Sequence, residues 1–206
     1  MKDLYDYLDN CLSKTFYYYP KEQLASVKLY LDSAMEQAIF DANVKYKGRK
    51  EINSEKELIE LIQLEPTLEA VLLYRIEREI FLKDSQNPIL SYLASLMHRR
   101  TACEIYYSTE IGKGFNIQHG FGIVIGPRYK IGNYFTIHQG VTLGQKNINS
   151  PNETITIGNH VTIFAGTTIL GNLKIGNNVS IGANSVLLTN AEENSIYAGS
   201  PAKRVK

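Results

Sequence analysis

The sequence predicts an α+β chain in two parts: an N-terminal α-helical domain over residues 1–100 and a parallel β-helix built of six-residue repeats over residues 101–206. Two observations carry that expectation. From Ile111 to about Ser185 an aliphatic residue returns with a period of six and is mostly followed by glycine, as at Ile111-Gly112, Ile131-Gly132, Leu143-Gly144, Ile157-Gly158, Ile175-Gly176 and Ile181-Gly182. Ahead of Ile111 the apolar residues instead recur at steps of three and four. A period of six fits neither the two of a strand nor the 3.6 of a helix, so it implies a short strand and a turn repeated as one unit. Three such units make a coil of eighteen residues, and stacked coils make a parallel β-helix.

Within the period, Ile117, Ile137, Ile163, Ile169 and Leu187 extend the aliphatic ladder. Two positions before a ladder residue stand Val141, Val161, Thr167, Val179 and Ser185, small or β-branched side chains suited to a narrow interior. The turns carry Gly132-Asn133, Gly158-Asn159, Gly171-Asn172 and Asn177-Asn178, residue types that tolerate the left-handed backbone of tight corners. A β-sandwich would space its turns by roughly 8 to 12 residues. The ladder slips phase twice. Fourteen residues separate Ile117 from Ile131, with Gly122, Gly126 and Pro127 taken as the excess, and fourteen separate Leu143 from Ile157 through Lys146–Glu153, where a loop is expected to leave the coil. Loops on a rigid repeat are common places for binding residues.

Residues 1 to about 98 read as helical. Leu24, Val27, Leu31, Ala34, Met35 and Ala38 mark one helix, and Ser54 with Glu57 makes a capping box ahead of Leu58, Leu61 and Ile62. Pro66 restarts a helix through Leu68 to Leu82, and Asn87-Pro88 opens the last, to about Met97. The chain of 206 residues is 44% hydrophobic, enough for two units with a core. Its net charge of +1 gives no reason to expect nucleic acid or a membrane surface as partner. No secretory pattern opens the sequence and no apolar run reaches the length of a membrane span, so a cytoplasmic location is expected. Cys11 and Cys103 make neither a metal spacing nor a disulfide framework.

Of the four histidines, His98 falls in the last turn of a helix, where a cation is favoured. His119, His138 and His160 stand two, one and three places past their ladder residues, a stagger that argues against converging imidazoles and hence against a bound metal.

His119 stands out by its surroundings. The run Ile117-Gln118-His119-Gly120-Phe121-Gly122-Ile123-Val124-Ile125-Gly126, preceded by Cys103-Glu104-Ile105-Tyr106 and followed by Gln139-Gly140-Val141-Thr142-Leu143-Gly144, resembles the serine O-acetyltransferases, left-handed parallel β-helix enzymes that use acetyl-CoA. The end, Ala198-Gly199-Ser200-Pro201-Ala202-Lys203, is similar to the terminal element of hexapeptide acyltransferases. The resemblance covers roughly residues 64 to 206. It implies that His119 is the general base, with Glu104 in the place of the carboxylate that pairs with it; the family has an aspartate there. A neutral imidazole can take the proton of an attacking hydroxyl, and a carboxylate beside it fixes the tautomer.

For the cofactor the resemblance implies acetyl-CoA in a groove between neighbouring subunits of a homotrimer or a dimer of trimers, with no metal. Gly144, Ala165, Gly166, Ala183, Ser200, Pro201 and Lys203 would contact it. On the acceptor side the match breaks down. Gln118 replaces an aspartate that meets the serine ammonium, Glu153 and Thr154 replace the arginine and histidine that grip the serine carboxylate, and Glu65 retains an acidic helix-end residue. The expected activity is direct acetyl transfer to a small-molecule hydroxyl, with free L-serine a poor or altered acceptor. A sugar or polysaccharide O-acetyltransferase and a non-catalytic trimeric scaffold are the alternatives.

Overall fold

In a computed structural model of the chain the described residues are 4–147, 149 and 153–206, and they divide into two compact units, Met1–Ala102 and Cys103–Lys206. The first contains α1 (Leu4–Thr15), α2 (Lys21–Ser26), a 3-10 turn at Lys28–Tyr30, α3 (Leu31–Lys45), α4 (Glu55–Ile62), α5 (Pro66–Lys83) and α6 (Ile89–Thr101). The apolar steps from Leu24 to Ala38 are buried as expected, but they do not lie on one helix. The backbone leaves the helical region at Val27 (φ −96°, ψ 3°), and the Ser26 hydroxyl bonds back to the Gln23 carbonyl at 2.8 Å, the local competition that ends helices at serine. At α4 the Ser54 hydroxyl accepts from the Glu57 N–H at 3.3 Å, while the Glu57 carboxylate accepts from the Asn53 N–H, one residue before the position a reciprocal capping box would use. Pro66 occupies the first turn of α5. Helix α6 runs past Met97 to Thr101, ending at Ala102 in the left-handed conformation.

The second unit is a parallel β-helix. Its first sheet stacks β1 (Cys103–Ile105), β4 (Ile123–Ile125), β7 (Thr142–Gly144), β10 (Thr168–Leu170) and β13 (Val186–Leu187); the second stacks β2 (Glu110–Ile111), β5 (Lys130–Ile131), β8 (Ile155–Ile157) and β11 (Leu173–Ile175). The third stacks β3 (Asn116–Gln118), β6 (Thr136–His138), β9 (Thr162–Ile163), β12 (Ser180–Ile181) and β14 (Ile196–Gly199), with β15 (Ala202–Arg204) antiparallel on β14. Ladder residues pair directly from coil to coil, Ile117 with Ile137 and Ile137 with Ile163, and all of them are buried. Burying each such side chain contributes about 1.5–3 kcal/mol. The interior is not uniformly narrow, because Phe115 and Phe135 occupy it in the first coils, stacked at 5.9 Å.

One corner is welded by asparagines. The Asn133 N–H donates to the Asn159 side chain and the Asn159 N–H to Asn177, each at 2.8 Å. The preceding glycine is dictated by the same contact: a Cβ on Gly132 would lie 2.7 Å from the Gly158 carbonyl oxygen.

The two phase slips resolve into unequal insertions. Residues one coil apart are eighteen apart in the regular part, as Thr162 with Ser180, but Asn116 pairs with Thr136 twenty residues on and Thr136 with Thr162 twenty-six on. The two extra residues of the first coil are His119 and Gly120, not Gly122, Gly126 or Pro127. The Gly140 N–H bonds to the Phe121 carbonyl at 2.7 Å and the Gly166 N–H to that of Gln139 at 2.9 Å, which aligns Phe121 with Gln139 and Gly122 with Gly140. The second insertion has eight extra residues. It leaves the coil after β7, and its neck is closed by the Lys146 N–H on the Glu153 carboxylate at 2.7 Å. The expected loop positions Ile148 and Ser150 to Asn152 lie outside the described residues.

Candidate active site

His119 sits on the inserted corner between β3 and β4, exposed, at φ +58°. For a residue other than glycine that conformation costs about 1–2 kcal/mol, so the surrounding structure must hold it. Gly120 beside it is buried, and its carbonyl accepts from the Cys103 thiol at 3.2 Å.

The twenty-residue coil also brings a second imidazole to the site. Gln118 pairs with His138 across β3 and β6, so the His138 ring lies 6.4 Å from that of His119 and stacks at 5.0 Å on Phe164 of the following coil. An eighteen-residue coil would have set Gln118 opposite Thr136, which is why the stagger read from the sequence kept these histidines apart. Burial first, and then the positive charge that His119 carries when protonated, hold the His138 pKa below its ordinary value. His160 is elsewhere, stacked on Tyr134 at 4.7 Å. Among the described residues no group of three or more histidine, cysteine, aspartate or glutamate side chains could hold a metal ion.

Glu104 lies half-buried on β1, paired with Val124. Burial first, and then the nearby Glu104 carboxylate, push the Tyr106 pKa up. Tyr106 follows the last residue of β1, two places after Glu104. Gln118 donates to the Asn116 side chain at 3.2 Å. Thr154 donates to the Arg128 carbonyl at 3.2 Å, and Glu153 is engaged at the loop neck. Glu65 belongs to the helical unit, where it precedes α5 and lies 3.9 Å from the Lys45 ammonium.

The residues expected at the cofactor divide by location. Ala165, Gly166 and Ala183 continue the corner that carries Phe121 and Gln139, with the Asn184 N–H on the Ala165 carbonyl at 2.8 Å. Gly166 has φ +69°, and a Cβ there would lie 2.3 Å from the Asn184 side-chain oxygen, so a larger residue would have to displace that side chain. Ser200 and Pro201 form the exposed turn between β14 and β15, and Lys203 pairs with Ala198 across that hairpin. Gly144 ends β7, at the other end of the first sheet's strands.

A parallel β-helix of stacked six-residue repeats is the architecture of the hexapeptide-repeat class. Residues 154–189 match the family described as bacterial transferase hexapeptide (six repeats). Over 146 residues the chain is 37% identical to a serine acetyltransferase of Helicobacter pylori, covering 71% of this chain and 85% of that protein. Against one from Staphylococcus epidermidis it is 37% identical over 148 residues, covering 72% and 69%. A solved serine acetyltransferase in complex with CoA superposes with a TM-score of 0.76 at 27% identity, over 90% of this chain and 75% of that one. The chain belongs to the serine acetyltransferase family and is an acyltransferase.

Proposed function

We propose that the protein transfers an acetyl group from acetyl-CoA directly to the hydroxyl of a small-molecule acceptor, with His119 as general base. The observation that carries this reading is the placement of His119: exposed on an inserted corner, at the head of an edge whose small residues Ala165, Gly166 and Ala183 would let a pantetheine arm lie close. The hydroxyl oxygen attacks the thioester carbon as its proton passes to His119. The C–S bond then breaks, and the imidazolium returns the proton to the departing thiolate. Glu104 would orient His119 once substrates are bound, since catalytic hydrogen bonds tighten in the complex. Cys103, the thiol nearest in sequence, is fully buried, which favours direct transfer in a ternary complex over an acyl-enzyme. The cofactor groove would need a second wall from a neighbouring copy, in a trimer or a dimer of trimers.

The relatives are serine enzymes by name, and serine is the first acceptor to test. The resemblance would set Glu153 where a serine enzyme grips its substrate's carboxylate, and this supports an acceptor other than free L-serine. A charge-assisted grip of that kind contributes about 1.5–3 kcal/mol, and an anionic Glu153 opposes it. Calorimetric titration with CoA and a screen of hydroxyl acceptors by thiol release test the proposal. Binding of CoA with acetyl-dependent thiol release supports it. CoA binding with turnover only on a sugar or polysaccharide gives the alternative acceptor, and absence of CoA binding leaves a trimeric scaffold. Turnover of L-serine above other small hydroxyl compounds would contradict the altered acceptor site.

A further inference from the structure

We infer that the buried thiol of Cys103 is a positioning group that aims His119, an inference that rests on the reading of His119 as the base. The two inserted residues have no counterparts in the later coils, so nothing in the repeat itself specifies their conformation. His119 is nonetheless held at φ +58°, and Gly120 turns inward and is buried while His119 and Phe121 on either side of it are exposed. A buried carbonyl needs a donor. The Gly120 carbonyl takes it from Cys103, which opens β1 at 0% exposure, in register with Ile123 just beyond the insertion.

The thiol therefore ties the inserted corner to the strand that also carries Glu104, and the position of one proposed catalytic side chain is coupled to that of the other. An apolar residue of the same size would fill the space and leave the carbonyl unpaired. A hydroxyl would keep the donor.

The test compares Cys103→Val and Cys103→Ala, which remove the donor, with Cys103→Ser, which keeps one, and runs His119→Ala beside them. The readouts are kcat and KM for acetyl-CoA, with L-serine or the best acceptor of the screen, and the dissociation constant of CoA. The expected result is a kcat about 10-fold lower for the Val and Ala variants, CoA affinity within about 2-fold of wild type, and recovery by Ser to within about 3-fold. Equal loss in all three Cys103 variants, or a rise in the CoA dissociation constant in step with the loss, reduces the thiol to packing and overturns the inference. If His119→Ala loses its turnover while every Cys103 variant keeps the wild-type kcat, the inference fails and the base stands. A His119→Ala variant of wild-type rate overturns both. Should the donorless variants fail to fold, the S–H stretching band of the Cys11→Ala protein decides: a hydrogen-bonded position supports the contact and a free-thiol position contradicts it.

Discussion

The helical unit and the β-helix solve the problem of polar groups in opposite ways. Asp41, Glu69, Arg75 and Glu77 are buried in the helical unit, whereas the buried polar side chains described in the β-helix are the neutral Thr109, Thr167, Ser185 and Ser195. Arg75 meets Asp41 at 2.8 Å with both side chains almost wholly inaccessible, Glu69 takes both the Tyr7 hydroxyl and the Arg100 guanidinium, and both Glu77 oxygens are buried without a hydrogen-bond partner among the described residues. Coils of stacked aliphatic side chains have no room for such pairs, so the ionisable groups of the β-helix lie outside that interior, His119 on the inserted corner and Glu104 and His138 on strands. Charge-dependent stability should therefore reside in the helical unit, and charge-dependent activity in the corners of the β-helix.

The largest expected effect comes from breaking a pair in the first region. Arg75→Ala removes the guanidinium from the buried Asp41 carboxylate and should cost about 3–5 kcal/mol. Denaturant unfolding followed by far-UV circular dichroism should show an early transition of the helical signal, and a midpoint within error of wild type would remove the pair from the account. In the second region the vulnerable element is packing. Gly132→Ala pushes a Cβ to within 2.7 Å of backbone and should cost about 1–3 kcal/mol, seen as a drop of several degrees in Tm. Gly122→Ala, whose nearest neighbour would be 3.8 Å away, pays chiefly for its φ of +69° and should cost less.

A smaller effect sharpens the comparison through pH. Burial holds the Glu77 pKa well above its ordinary 4.5, so over the window that opens at about that pH the unfolded chain has released a proton which the folded chain keeps. Stability must then fall as pH rises, by about 1.4 kcal/mol per pH unit for this one group, until the folded carboxyl also ionises. Glu77→Gln removes the slope. The variant should gain on wild type as pH rises above about 4.5 and lose that gain below it, as measured by the denaturation midpoint across the range. A parallel pair of curves would show that Glu77 has found a partner.

What could be read in advance follows the same division. The six-residue ladder was legible because a buried aliphatic residue recurs once in every short strand, and the ladder residues from Ile111 to Leu187 are all buried. The length of each coil was not legible. Gly120, Gly122 and Gly126 all fit a corner, and only the bonds from Gly140 to Phe121 and from Gly166 to Gln139 reveal that His119 and Gly120 are the surplus pair. That miscount hid the approach of His138 to His119. The break at Val27 escaped notice because the apolar residues on both sides of it keep helical spacing even though the backbone does not.

The proposed chemistry belongs to the irregular corner and not to the regular coils, with His119 as its base. The most direct measurement is the turnover of His119→Ala under saturating acetyl-CoA, with CoA binding measured on the same preparation. Loss of roughly 100-fold or more in kcat with CoA affinity unchanged is the predicted result, the scale of a positioned general base. Retention of more than half the wild-type rate would contradict it and move the search for the base to another corner.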